Sequence, residues 1–154
     1  MKILCYKQFG RKQVFCIRRC VGRVLKKIGA STAMLRIIIA DDHIHIRKGI
    51  VQLLEDEFGA LHTEEAENGI ELFDKVMTAP WDLVISDMVM PGGNGLEALK
   101  KIKKEKKELP VIIVSTYPAE QYKSRVMEAG ADDFISKDAF STHLIPSIRR
   151  ILKN

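Results

Sequence analysis

Along most of this chain, short apolar runs alternate with longer stretches of helical periodicity. Leu35–Ala40 is apolar and β-branched and reads as a buried strand. Ile50, Val51, Leu53, Leu54 and Phe58 then recur at helical spacing, which predicts a helix over Arg47–Glu57 stopped by Gly59. Leu61–Ala66 predicts a strand only weakly, being so polar. Ile70, Phe73 and Met77 stripe a helix over Gly69–Thr78, ended by Pro80, and Leu83–Ser86 is a third strand. Asn94 suits the cap of a helix running through Lys103, with Leu96, Leu99 and Ile102 inward. Val111–Val114, introduced by Pro110, is a fourth strand. Ala119–Ala129 is a helix with Tyr122, Val126 and Met127 apolar, closed by Gly130. Phe134–Ser136 is a short fifth strand. Phe140–Leu152 is the last helix, with Leu144, Ile148 and Ile151 or Leu152 inward and a first turn made irregular by Pro146.

Five strands alternating with five helices through short connections imply right-handed βαβ crossovers, hence an α/β domain with helices on both faces of a parallel sheet. Ile37-Ile38-Ile39 and Val111-Ile112-Ile113 are apolar on both sides, as central parallel strands are. In such a sheet every strand ends on one rim, and ligands bind there. Four of the five strand ends bear chemically useful groups: Asp41 and Asp42, Asp87, Ser115, and Lys137. Adjacent carboxylates repel each other, and a hard cation relieves the repulsion. An exposed Asp87, held above its strand by the loop Met90-Pro91-Gly92-Gly93-Asn94-Gly95, suits a nucleophile toward a phosphoryl donor. Ser115 can donate to a phosphoryl oxygen, and the Lys137 ammonium can neutralise its charge. Taken singly, Asp87 reads equally well as a cap or turn aspartate, one of the Asp41-Asp42 pair reads as a helix cap, and Ser115 and Lys137 read better as a loop serine and a solvated lysine; their order along the strands carries the argument.

Charge divides the chain in two. Residues 1–33 hold nine of the 25 basic residues and no acid, which leaves 16 basic residues against all 20 acids in 34–154. All three cysteines, Cys5, Cys16 and Cys20, lie in that leader, without the spacing of a disulfide framework or zinc site. The body thus folds without crosslinks, as suits a reducing cytoplasm. Within the leader, Val14, Ile17, Val21, Val24 and Ile28 follow helical spacing among basic residues. It reads either as a non-native extension or as an amphipathic helix able to meet a membrane surface, acidic partners or nucleic acid. The six lysines of Lys100–Lys107 read as a solvated helix end favoured by the dipole. No apolar run approaches the ~20 residues that cross a bilayer.

The segments Ile39-Ala40-Asp41-Asp42-His43, Asp87 through Gly95, Val114-Ser115, and Gly130-Ala131 through Lys137 resemble the receiver domain of two-component response regulators over about residues 35–152. Asp41-Asp42-His43 and Pro118-Ala119-Glu120-Gln121-Tyr122 resemble its NarL/FixJ-type subfamily in particular. The resemblance implies a flavodoxin-like doubly wound (βα)5 three-layer sandwich with sheet order 2-1-3-4-5, and a division into a basic leader, 1–33, and a receiver domain, 34–154. It implies that Asp87 accepts phosphate from a sensor histidine kinase or relay protein. Mg2+ is then held by Asp41, Asp42, Asp87 and the backbone carbonyl of Val89, with Ser115 and Phe134 as switch residues and Lys137 as the family's invariant lysine. Phosphorylation is expected to reshape the surface of the fourth helix, fifth strand and fifth helix, with a homodimer as one outcome. The expected protein is a cytoplasmic switch, not an enzyme beyond weak self-catalysed phosphotransfer and dephosphorylation. Apolar Val89 and bulky Tyr117 are expected to flank the path of attacking water and slow hydrolysis.

Two other readings compete. An aspartyl-phosphate hydrolase usually places a second Asp two residues after its nucleophile, where this chain has Val89, and carries cap insertions for which there is no room. A transcription regulator would need the leader, or a domain beyond Asn154, to touch DNA. NarL/FixJ-type proteins normally continue into such a domain, so the chain reads as a single-domain receiver, a fragment or a truncated product.

Overall fold

The computed structural model describes residues 34–92 and 94–153. The leader, with the amphipathic helix expected there, lies outside the described residues. The elements are β1 (Arg36–Ala40), α1 (Ile44–Phe58), β2 (His62–Ala66), α2 (Gly69–Thr78), β3 (Leu83–Asp87), α3 (Gly95–Glu105), β4 (Val111–Ser115), α4 (Ala119–Glu128), β5 (Asp133–Ser136) and α5 (Phe140–Ile151). A single 3-10 turn, Lys137–Ala139, joins β5 to α5. The strands pair in parallel in the order β2-β1-β3-β4-β5, as expected.

Strand alternation sends side chains to two cores. On one face, Ile37, Ile39, Ile85, Ile112 and Ile135 pack against Ile50 and Leu54 of α1 and Leu144 and Ile148 of α5. On the other, Ile38, Val84, Ile113 and Phe134 meet Leu72 and Val76 of α2, Leu99 and Ile102 of α3, and Val126 of α4. Every residue of β3 and β4 is buried, whereas β2 is an edge strand with only Ala66 fully covered. That explains its weak apolar signal.

Local chemistry sets the helix ends. Asn68 Oδ1 accepts from the N–H groups of Ile70 and Glu71, and Asn94 Oδ1 from Leu96 N–H. Gly59, with φ 75°, closes α1.

Four expectations need correction. α1 begins at Ile44 rather than Arg47, because His43 is its N-cap residue and the Asp pair lies outside the helix. Ile70 faces solvent; with Asn68 fixing the first turn, Leu72 and Val76 are the residues turned to the sheet. Two lysines of the basic run are structural rather than solvated. Lys103 Nζ donates to Leu109 O at 2.8 Å and pairs with Asp132 at 2.7 Å, and Lys106 Nζ donates to Val76 O and Ala79 O. Finally, Pro146 lies in the second turn of α5, not its first, and the helix continues through it.

Candidate functional site

The sheet register assembles the site. Ala40 pairs with Ser86, so the next residues, Asp41 and Asp87, are neighbours at the rim. Asp87 pairs with Val114, which brings Ser115 one step beyond it, and Ser115 pairs with Ser136, which delivers Lys137. The ends of β1, β3, β4 and β5 thus meet at one rim, where one ammonium joins Asp41 to Asp87. Lys137 Nζ lies 2.6 Å from Asp41 Oδ2 and 2.9 Å from Asp87 Oδ2.

Asp87 is buried, 7% exposed, not the exposed carboxylate expected from its loop. β3 extends to include it, and Met88 and Met90 turn inward behind it while Val89 faces out at 45%. Burial pushes the Asp87 carboxyl up from the usual carboxylate range; its bond to Lys137 opposes the shift without cancelling it. Burial also works against the Lys137 ammonium, but its bonds to Asp41 and Asp87 outweigh this and hold its pKa above the usual lysine value.

Asp41 is held at every polar atom. Its N–H donates to Ala66 O, Oδ1 accepts from His43 N–H at 2.8 Å, Oδ2 meets Lys137, and its carbonyl accepts from Arg47 Nη1 at 2.7 Å. Asp42 differs. Its Oδ1 is buried without a hydrogen bond among the described residues, although His43 Nδ1 lies 2.8 Å away in poor bonding geometry. The donor atoms of Asp41, Asp42 and His43 all fall within 4.8 Å of one another. Crowded carboxylate oxygens, one of them unsatisfied, suit a hard divalent cation.

Ser115 is fully buried, and its Oγ accepts from Tyr117 N–H at 3.0 Å. It reaches the rim without a hydrogen bond to Asp87. Phe134, three residues before Lys137, is buried in the core beneath α4. Tyr117 is exposed, its ring centroid 5.0 Å from that of Tyr122.

Two residues that hold the site were not singled out from sequence. A Cβ on Gly95 would stand 1.8 Å from the Asp87 carbonyl oxygen, so α3 can start this close to the end of β3 only with glycine there. Arg47 is buried and bonded to Asp41, Glu65 and Glu67. Its signal was present: a charged residue on the same stripe as Ile50 and Leu54.

The chain is similar to known proteins in both sequence and fold. The family model described as "Response regulator receiver domain" matches residues 37–149. Over 118 residues, 77% of the chain, the sequence is 30% identical to the response regulator GacA of Pseudomonas viridiflava and 33% identical to the response regulator UvrY of Escherichia coli K12. The chain covers 55% and 54% of those proteins, about half the length of the curated relatives it matches. Among solved structures, the response regulator TrrA of Thermotoga maritima, in complex with Mg2+ and BeF, is 31% identical with a TM-score of 0.69, covering 77% of this chain and 99% of that one.

Proposed function

This chain belongs to the receiver-domain family of two-component response regulators, a family of signalling switches, and from that premise we propose that Asp87 is its phosphoacceptor. The observation that carries the reading is the Lys137 bridge, which gathers Asp41 and Asp87 within one hydrogen-bonded cluster. Asp41, Asp42, Asp87 and the Val89 carbonyl would hold Mg2+, which when bound supplies charge that offsets the phosphoryl oxygens.

A carboxylate oxygen of ionised Asp87 attacks phosphorus, forming the new P–O bond. The donor's bond to phosphorus breaks, and its electron pair leaves with the donor. The Lys137 ammonium, already aimed at Asp87, holds a proton against a phosphoryl oxygen. Ser115 Oγ accepts from Tyr117 N–H, so its own proton is free to be donated to the new group. The added charge, about −1.5 to −2, draws these groups inward. Phe134 then repacks beneath α4, and the α4-β5-α5 surface changes, biasing partner choice or homodimer formation. Exposed Val89 and Tyr117 flank the route of attacking water, and we expect a long-lived acyl phosphate. The donor is a sensor histidine kinase or relay protein. The chain then acts as a switch whose only self-catalysed steps are its own phosphotransfer and dephosphorylation. We assign the leader, residues 1–33, no part in this chemistry.

Incubation with acetyl phosphate and Mg2+, read by intact mass, tests the assignment. The chain should gain one phosphate, and Asp87→Asn should gain none; Mg2+-dependent labelling that survives in Asp87→Asn would overturn it.

A further inference from the structure

We propose that Arg47 is a positioning residue for the cation site, acting through the peptide plane between Asp41 and Asp42. This rests on the cation reading above.

Arg47 is 4% exposed, yet it sits on α1 among apolar neighbours. A guanidinium is costly to bury unless its donors are used, and here three are. Nη1 donates to the Asp41 carbonyl at 2.7 Å, Nε pairs with Glu65 at 2.5 Å, and Nη2 with Glu67 at 3.2 Å. The two carboxylates belong to β2 and its end, so the guanidinium ties the start of α1 and the edge strand to one carbonyl oxygen. The chain holds that edge as well, because Lys75 Nζ donates to Glu65 O at 2.6 Å and Glu71 accepts from Glu67 N–H at 2.8 Å. This accounts for two acidic residues that the sheet itself does not need.

The bonded carbonyl matters because Asp42 is the next residue along the chain. Asp41 has other anchors, but Asp42 Oδ1 has no hydrogen bond among the described residues, only the poorly aligned His43 Nδ1. Where Asp42 directs its carboxylate is set by the orientation of the peptide before it, and Arg47 grips the oxygen of that peptide. Glu65 and Glu67 balance the guanidinium charge, so the cluster keeps its negative potential.

Charge and position predict opposite signs. Arg47 is a cation near a cation site, so by Coulomb repulsion alone its removal would tighten metal binding. As a positioning residue, its removal weakens binding about tenfold, as loss of a supporting shell residue does. The test is Mn2+ binding by the full chain, titrated with the metal alone and read from the free-ion EPR signal. Arg47→Met and the charge-conserving Arg47→Lys are compared with Ile50→Val, a core change on the same helix. Weaker binding in Arg47→Met and Arg47→Lys, with Ile50→Val at the parent affinity, supports the proposal. Parent-like or tighter binding by folded Arg47→Met overturns it, as does equal weakening in Ile50→Val. If the parent chain itself binds no Mn2+, the cation reading falls and takes this proposal with it. Should Arg47→Met fail to fold, Arg47→Lys, which keeps the charge and loses the three-way grip, decides: weaker binding supports the proposal and parent affinity overturns it.

Discussion

At Asp87, burial and pairing pull in opposite directions, and burial wins. A carboxyl whose folded pKa lies above its unfolded one costs stability once ionised, and that cost vanishes below the unfolded pKa. Asp87→Asn, whose loss leaves Lys137 paired with Asp41, should therefore be more stable than the parent at pH 7, on the order of 1 kcal/mol. The gap should close as urea melts are taken into acid. Lys137→Met does the reverse, leaving two buried carboxylates without a counter-charge. It should cost about 3 kcal/mol, with the loss partly recovered by Mg2+ because a ligand of the folded state stabilises it. Melting in EDTA and in excess Mg2+ should show a larger rise for the variant than for the parent. The identities of both residues were legible from their places at strand ends. The burial of Asp87 was not, because a Pro/Gly loop signals a turn and says nothing of what folds over it.

Elements meet the site through contacts that no local pattern announces. Gly95→Ala would press a methyl carbon against the Asp87 carbonyl, and α3 would have to withdraw. We expect a loss of about 3 kcal/mol by denaturant titration, at the upper end of what overpacking costs. Asn94→Ala, one residue earlier, should cost only the cap, about 1 kcal/mol. At the far edge, Asp133 of β5 is locked to α5. Burial would raise its pKa, but bonds from Ser147, the Phe134 N–H and Arg150 outweigh it and hold the carboxyl below the usual range. That contribution is present above the ordinary aspartate pKa and lost as pH falls through the depressed one. Asp133→Asn should therefore flatten the acid limb of the stability profile. Helical stripes and caps were readable from sequence to within a few residues. β2 was faint partly because Glu65 within it, like Glu67 just past its end, serves Arg47, a partner 18 and 20 positions away along the chain.

The whole molecule places chemistry and reporter on opposite rims. Trp81, the single tryptophan of the chain, precedes β3 at the N-terminal ends of the strands, stacked on His62 and beneath Arg36. Its fluorescence should follow global unfolding, coincide with the circular dichroism transition, and stay unchanged when Mg2+ binds. A separate fluorescence transition would show that the two faces of the sheet do not melt together. The sheet order and both cores follow from alternation of short buried strands with amphipathic helices, which is why the architecture was plain from the chain alone. The Lys137 bridge has a consequence at this scale. Because a tethered ammonium already pairs with Asp41 and Asp87, the domain carries a partial stand-in for a metal. If Mg2+ binds as proposed, its scarcity would silence phosphotransfer and spare the scaffold, so that the ion would govern when the protein speaks and not whether it holds its shape.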